Sequence, residues 1–469
     1  MELDSSRFLG AFMGSIVGDA LGAPFEFKSP GSYKRQFPEP VLGGTGEMVG
    51  GGSFQWAPGE FTDDTQMGLV LATSLLHNHR LIGQDIFSRF RVWARHAPDV
   101  GIQTRSVLSS SQPWDKAALQ YYQAHPHNAA GNGALMRTVP VALYFADGTL
   151  EQCLDAGRFQ ASLTHGDPAV SWGTALYHGL IYHALRGVEP LSQLTALLNM
   201  LPAEVRPRYE EMLSPGWHPS QTTLPNGTVW TCLAQAVWAV RTTTSFEDAL
   251  VAALELGHDT DTVGAVTGGL AGALYGIQRI PSRWTTYLNG KVHQPEGLQE
   301  YDLSELLILG NQLLGFEAPL PPMEPILPLG EIDTGILASN LNGMICAARE
   351  TAIVSLCRTF GRVSPWAYRR QFYLLDSATA ASNPDLQDLL LELVQTVEAF
   401  RKEGRQVLIH CHAGRSRTGL ALRAWLMYAH GWTEAQARAH VEARWPYFQR
   451  WNPSFEQALQ LWEERLRAR

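Results

Sequence analysis

The sequence predicts a multidomain chain: an all-α domain over residues 1–315, a proline-rich linker over 316–333, and an α/β domain over 334–469. Three observations predict it. At 469 residues the chain exceeds what one hydrophobic core ordinarily organises. Pro319, Pro321, Pro322, Pro325 and Pro328 fall close together, forbid a helix and favour an extended, stiff spacer. Apolar periodicity is helical before that point, and strand and helix patterns alternate after it.

Composition narrows the function. A net charge of −9 argues against a nucleic-acid binder working by bulk attraction, and leaves room for a small phosphorylated ligand held by local donors. The N-terminus Met1-Glu2-Leu3-Asp4 does not read as a signal peptide, and no apolar run is expected to reach membrane-spanning length. The expectation is a cytoplasmic protein with no membrane partner. The five cysteines are odd in number, scattered and without a C-x-x-C pair, which fits reduced thiols.

In the first domain, Gly10, Gly14 and Gly18 recur every fourth residue and line one face of a helix, permitting close helix–helix packing. Pro24 ends that helix and leaves Glu26 just beyond it, where a catalytic carboxylate reaches a cleft. Gly43 to Gly59 reads as a loop leading into Phe61-Thr62-Asp63-Asp64-Thr65-Gln66. The pattern from Met67 to Leu76 is helical, so Thr62, Asp63 and Asp64 sit at a helix start, where capping alone also favours carboxylates. A matching turn is Gly257-His258-Asp259-Thr260-Asp261-Thr262, ahead of a small-residue helix from Val263. Its carboxylates, spaced i, i+2 and bracketed by hydroxyls, are hard oxygen donors suited to a cation such as Mg²⁺. A buried acidic turn repels itself and requires cations or donors around it. Two such turns suggest one shared, binuclear metal site.

Polar loops separate the intervening helices. One is Asp99-Val100-Gly101-Ile102-Gln103. Another is Asn128-Ala129-Ala130-Gly131-Asn132-Gly133, whose small residues let backbone N–H groups approach a ligand, although plain turns share that composition. Thr164-His165-Gly166-Asp167-Pro168 opens a further helix, and residues 169–310 continue mostly helical.

Together with Gly18-Asp19-Ala20-Leu21-Gly22, these motifs resemble the ADP-ribosylglycohydrolase family, in the family's order, over nearly all of residues 5–315. The resemblance implies an all-α fold with two Mg²⁺ (or Mn²⁺) ions. It implies that Thr62, Asp63, Asp64, Asp259, Asp261 and Thr262 are metal ligands, and that Asn128, Ala129, Ala130, Gly131, Asn132 and His165 hold ADP-ribose. The acid/base is Glu26 or Asp99, and the sequence does not choose between them. His258 departs from the glycine many relatives carry there. Cleavage at the ribose anomeric carbon passes through an oxocarbenium-like state, with metal ions orienting water and a carboxylate activating it.

In the second domain, Thr351–Cys357, Gln371–Leu375 and Val407–His410 read as strands, and Asp385–Arg401, Gly419–His430 and Thr433–Arg444 as helices. The last strand runs into Cys411-His412-Ala413-Gly414-Arg415-Ser416-Arg417-Thr418-Gly419. A strand–loop–helix turn points backbone N–H groups at an oxyanion and favours a nucleophilic thiolate at Cys411. Arg417 binds two phosphate oxygens with its planar fork, Thr418 steadies the departing thiolate, and Gly414 relieves crowding. The loop is the signature of the protein tyrosine phosphatase superfamily, and residues 335–469 resemble its dual-specificity-like members. That resemblance implies a general acid on a separate loop, placed at Asp376, with Asp385 as the weaker candidate. His410 is read as shaping the loop, and His412 is left without a role.

The expectation is a bifunctional hydrolase: metal-dependent removal of ADP-ribose from a protein or small molecule, and cysteine-dependent hydrolysis of a phosphorylated substrate. The alternative reading makes the first domain a non-catalytic ADP-ribose sensor that recruits the phosphatase.

Overall fold

The Ser5–Gly22 helix runs antiparallel to the Thr260–Tyr275 helix with backbone against backbone. A Cβ at Gly10, Gly14 or Gly18 would collide with the carbonyl oxygens of Gly272, Gly268 and Gly264 respectively. Those three glycines meet the first helix in the same way. The four-residue spacing in the sequence therefore sets the approach of the two central helices. Gly22 closes the series against Thr260, whose hydroxyl donates to the Gly22 carbonyl at 2.9 Å. Every residue from Phe8 to Gly22 is buried.

The computed structural model describes residues 3–316, 322 and 324–468. Backbone packing divides the chain into two compact units. The first comprises Met1–Glu39, Met48–Ile280 and Tyr287–Ala318; the second comprises Pro40–Glu47, Pro281–Thr286 and Pro319–Arg469. Two short upstream segments thus pack with the second unit, which contiguous domains do not anticipate. They are tied together by the buried Glu47 carboxylate, which accepts from Arg283 Nε at 2.9 Å and Trp284 Nε1 at 3.1 Å.

The first unit is helical around this pair. Further helices include Asp63–Asn78, Gly83–Ala94, Pro168–Ala184 and Val229–Thr242. One departure from an all-α domain is an antiparallel hairpin, Asn289–Gln294 with Gly297–Asp302. Its first strand alternates buried Val292 and Gln294 with outward residues, a period of two in a helical context. A second departure concerns the apolar run. Ser5–Phe25 is long and apolar enough to cross a membrane, with a mean hydropathy of 1.4. Its window is 94% buried inside the unit, as a core helix is.

The second unit is a five-stranded sheet with helices packed on it. The strand order is Gly330–Asp333, Ile336–Asn340, Val407–Cys411, Ala352–Ser355, Arg369–Gln371. The first strand pairs antiparallel and the others parallel. The central strand, Val407–Cys411, is flanked on both sides, with Ser355 opposite His410 and Asn340 opposite Cys411. The helices are Leu386–Lys402, Ser416–His430, Glu434–Arg444 and Pro453–Arg467.

Two sequence expectations change here. The linker does not extend to Asp333, because Gly330–Asp333 is the sheet's edge strand. Pro319 and Pro321 lie outside the described residues. The strand expected over Gln371–Leu375 ends at Gln371. Leu375 pairs instead with the Asn383 side chain, whose amide accepts from Leu375 N and donates to its carbonyl at 3.0 and 2.9 Å.

Candidate active sites

The central helix pair delivers the first site. At its end, the buried Asp19 carboxylate accepts the backbone N–H of Thr62 and of Thr65. It thereby fixes the start of the Asp63–Asn78 helix, which Thr62 caps. On the facing helix, Thr262 N donates to Asp261 Oδ1 at 2.9 Å, and the Thr262 side chain hydrogen-bonds the Asp64 carboxylate. The two acidic turns therefore converge, and Thr62, Asp63, Asp64, Asp261 and Thr262 are all buried. Asp259, half-buried, completes the turn.

Glu26 joins them. Backbone hydrogen bonds run from Phe27 N to His258 O (2.6 Å) and from His258 N to Lys28 O (2.9 Å), which holds the segment after the first helix against the second turn. Ligand atoms of Glu26, Asp259 and Asp261 consequently lie within 4.8 Å of one another. His258, where the sequence departs from its relatives, has φ 63° and is exposed. It takes a left-handed conformation that glycine adopts more readily.

The electrostatics are those of a cation site. Burial raises the proton affinity of Asp63, Asp64 and Asp261 well above the carboxylate range, and their carboxylate neighbours add to it. Burial, then Asp259, Asp99 and Asp19, push Glu26 up to about 8. Asp19 is raised to about 6 by burial. Asp64 Oδ1 and Glu26 Oε2 are buried without a hydrogen-bond partner among the described residues. Orphaned, mutually repelling carboxylate oxygens fit divalent cations, which take hard oxygen ligands. Asp99 is half-buried and acts electrostatically on Glu26 and Asp63, so both acid/base candidates face this centre.

The glycine loop borders the same centre. Asn132 Nδ2 donates to Asp259 Oδ2 at 2.7 Å and to the Asn226 carbonyl at 3.1 Å. The Asn226 side chain in turn accepts from Asp259 N at 3.2 Å and donates to Gly257 O at 2.9 Å. His165 lies beside Gly131 and Gly133. A buried chain orients it: Arg137 Nη2 donates to Thr164 Oγ1 at 2.8 Å, and that hydroxyl lies 2.9 Å from His165 Nδ1. Burial, with Arg137 nearby, lowers His165 to about 3, so the ring is neutral. Ala129 and Ala130 are buried beneath the loop and Asn128 is exposed at its start.

The second site is the loop after Val407–Cys411. Gly414 has φ 71°, and a Cβ there would stand 2.8 Å from the Ser339 carbonyl oxygen. Trp445 Nε1 donates to Gly414 O at 2.6 Å. Arg417 Nη1 donates to the carbonyls of Leu356 and Leu374 at 2.9 and 3.2 Å. Asp376 is drawn to the loop: Ser416 Oγ donates to its Oδ1 at 3.0 Å, and Arg417 Nε lies 3.7 Å from its Oδ2. Asp385 instead stands before the Leu386–Lys402 helix. Cys411 is buried at the strand end, and Thr418 Oγ1 is buried with no hydrogen bond among the described residues. His410 shares a hydrogen bond with Ser355 Oγ at 2.8 Å, and burial lowers it to about 4. His412, left open by the sequence, donates from Nε2 to Pro322 O at 2.8 Å. Beside it, Arg415 pairs with Glu324 at 3.5 Å, so the end of the proline segment is fastened to the loop.

Sequence reasoning missed Asp19, Asn226 and the Arg137–Thr164 relay. Asp19 had a signal, a lone carboxylate within an apolar helix. Asn226, in an ordinary Pro-Asn-Gly turn, had none.

Both units are hydrolase domains. Residues 2–313 match the ADP-ribosylglycohydrolase family, to which the chain belongs, and residues 370–465 match the catalytic domain of dual specificity phosphatases. The chain is 34% identical over 292 residues to the ADP-ribosyl-(dinitrogen reductase) glycohydrolase of Rhodospirillum rubrum, covering 61% of this chain and 92% of that one. It is 32% identical over 302 residues to the ADP-ribosylarginine hydrolase Tri1 of Serratia proteamaculans, covering 60% and 75% respectively. Among solved structures, an ADP-ribosylglycohydrolase-related protein complex superposes with a TM-score of 0.51 at 33% identity, covering 67% of this chain and 98% of that one. The family is generally divalent-metal dependent, and the acidic centre is consistent with that.

Proposed function

We propose that the first unit hydrolyses the N-glycosidic bond between ADP-ribose and an arginine side chain, with Mg²⁺, and that the second hydrolyses phosphate monoesters through Cys411. The observation that carries the first half is the convergence of Glu26, Asp259 and Asp261 within 4.8 Å, beside Asn132. The arginine linkage is drawn from the relative whose name specifies it.

Thr62, Asp63, Asp64, Asp259, Asp261 and Thr262, with Glu26 beside them, would hold the cations, which supply Lewis-acid charge next to the ribose hydroxyls and water. Since Glu26 groups with the ligands, Asp99 is assigned as the base. It takes a proton from water as the water oxygen bonds the anomeric carbon, and the C–N electrons leave with the guanidine. Neutral His165 and the loop Asn128–Asn132 orient the ADP-ribose.

In the second unit, the Cys411 thiolate attacks phosphorus and the ester P–O bond breaks. Asp376 gives its proton to the leaving oxygen, and water then hydrolyses the thiophosphate. Arg417 binds the phosphoryl oxygens.

The test is release of ADP-ribose from a panel of defined linkages, with Mg²⁺, beside Asp259→Asn and Cys411→Ser. The expected result is release from ADP-ribosylarginine that Asp259→Asn abolishes and Cys411→Ser leaves intact. Tight ADP-ribose binding without release from any linkage would establish the sensor reading instead. Asp99→Asn and Glu26→Gln, compared at saturating Mg²⁺, separate base from ligand.

A further inference from the structure

Asp376 has a partner outside the phosphate loop. Asn452 immediately precedes the Pro453–Arg467 helix and is buried. Its Oδ1 accepts the N–H groups of Ser454 at 3.1 Å and Phe455 at 3.4 Å, as a helix cap does. Its Nδ2 simultaneously donates to Asp376 Oδ1 at 3.0 Å. A second tie follows, from Ser454 Oγ to the Ser377 carbonyl at 2.8 Å. One amide therefore serves two elements, with its oxygen on the helix and its nitrogen on the carboxylate.

Capping does not require this residue. Serine and aspartate cap as well as asparagine, and threonine nearly so. Only asparagine among them presents N–H donors on the other side. The two donors that reach Asp376, Ser416 Oγ and Asn452 Nδ2, both end on Oδ1. With both acceptor sites of Oδ1 taken by these donors, Oδ2 is the oxygen left open to carry the acid proton. Oδ2 is also the oxygen nearer the phosphate-binding Arg417, at 3.7 Å from Nε.

We infer that Asn452 is a positioning residue for the phosphatase step, selecting which oxygen of Asp376 carries the proton to the leaving group. The inference rests on the reading of Asp376 as the general acid. Transfer breaks the Oδ2–H bond and forms an O–H bond on the departing alkoxide as the P–O bond opens. Asn452 exchanges no proton.

The experiment uses the full chain and two substrates. p-Nitrophenyl phosphate has a good leaving group and little need of an acid, whereas a serine phosphate ester depends on protonation. Asn452→Ser keeps a capping oxygen and removes the amide N–H donor. It is expected to lower kcat for the serine ester about ten-fold, a fraction of a typical general-acid contribution, with p-nitrophenyl phosphate within about two-fold. The basic limb of the serine-ester pH profile shifts with it, while the unfolding temperature matches wild type. Asn452→Thr gives the same test if the serine variant does not fold. Equal loss on both substrates, or on neither, overturns the inference when Asp376→Asn does discriminate between them. If Asp376→Asn also fails to discriminate, the general-acid assignment falls with it, and turnover that survives Cys411→Ser removes the phosphatase reading altogether.

Discussion

The carboxylate of Asp19 holds the backbone of Thr62: its two oxygens stand 3.1 and 3.0 Å from the Thr62 nitrogen, and Oδ2 also accepts from Thr65 N at 3.0 Å. A side chain of one helix thus fixes the first turn of another, and that turn carries Asp63 and Asp64. Asp19→Asn replaces one acceptor oxygen with an amide that faces the N–H groups. The expected loss is about 1–3 kcal/mol of stability from unsatisfied buried donors. ADP-ribose release should fall at least about ten-fold as the ligand turn loosens, since misplacing reacting groups by about 1 Å costs on the order of a hundred-fold. Denaturant unfolding and release assays check it, and wild-type values in both would contradict the role.

Metal should stabilise the fold. The converging carboxylates repel one another in the folded protein and are far apart in the unfolded chain, so cations bind the folded state selectively. At a hundred-fold excess over Kd, Mg²⁺ is expected to add about 2.7 kcal/mol. Thermal unfolding with Mg²⁺ and with chelator measures it. Asp261→Asn should remove most of the difference.

Two buried histidines make the first unit acid-sensitive. Burial holds His165 down to about 3 and His178 to about 4. His178 is neutral between the Cys153 carbonyl (2.8 Å) and Thr138 Oγ1 (2.6 Å). In the unfolded chain an imidazole takes its proton near 6.5. The unfolded state therefore binds more protons between 6.5 and the folded values, and stability rises with pH there. The contribution is complete above 6.5 and is lost progressively as pH falls towards 4, by about 2 kcal/mol per histidine at pH 5. His178→Gln should flatten the slope of stability against pH relative to wild type. An unchanged slope would show that His178 titrates normally.

Gly18→Ala places a methyl group against the Gly264 carbonyl. The helices must separate or tilt, at about 1–3 kcal/mol for overpacking. Asp19 and Asp261 move with them, so Mg²⁺-dependent stabilisation should weaken as well as the melting temperature. Gly216→Ala, at an exposed turn with open space around its Cβ position, is the neutral control.

Much of this molecule could be read in advance because its signals are local. Helix starts carry their own caps, and the carboxylate pairs and the Cys411–Arg417 loop are contiguous in the chain. The failures are non-local. Gly330–Asp333 is too short to show alternation, and only its pairing with Ile336–Asn340 makes it a strand. The run Phe372 to Leu375 looks like a strand by composition, but the Asn383 side chain replaces a neighbouring strand at Leu375. Asp19, Asn226 and Asn452 act through hydrogen bonds to distant segments, so no spacing announces them.

The contact between the two glycine-lined helices has an evolutionary consequence. Where two side chains press together, a larger residue on one helix can be offset by a smaller one on the other. Here both surfaces are already main chain, and nothing smaller than glycine exists to offset a newcomer. Drift along this seam is closed to paired compensation, while the remaining faces of the same helices are free to exchange one apolar residue for another. Descendants of this sequence are expected to vary around the seam and to retain it, as two runs of small residues with the same period read in opposite directions.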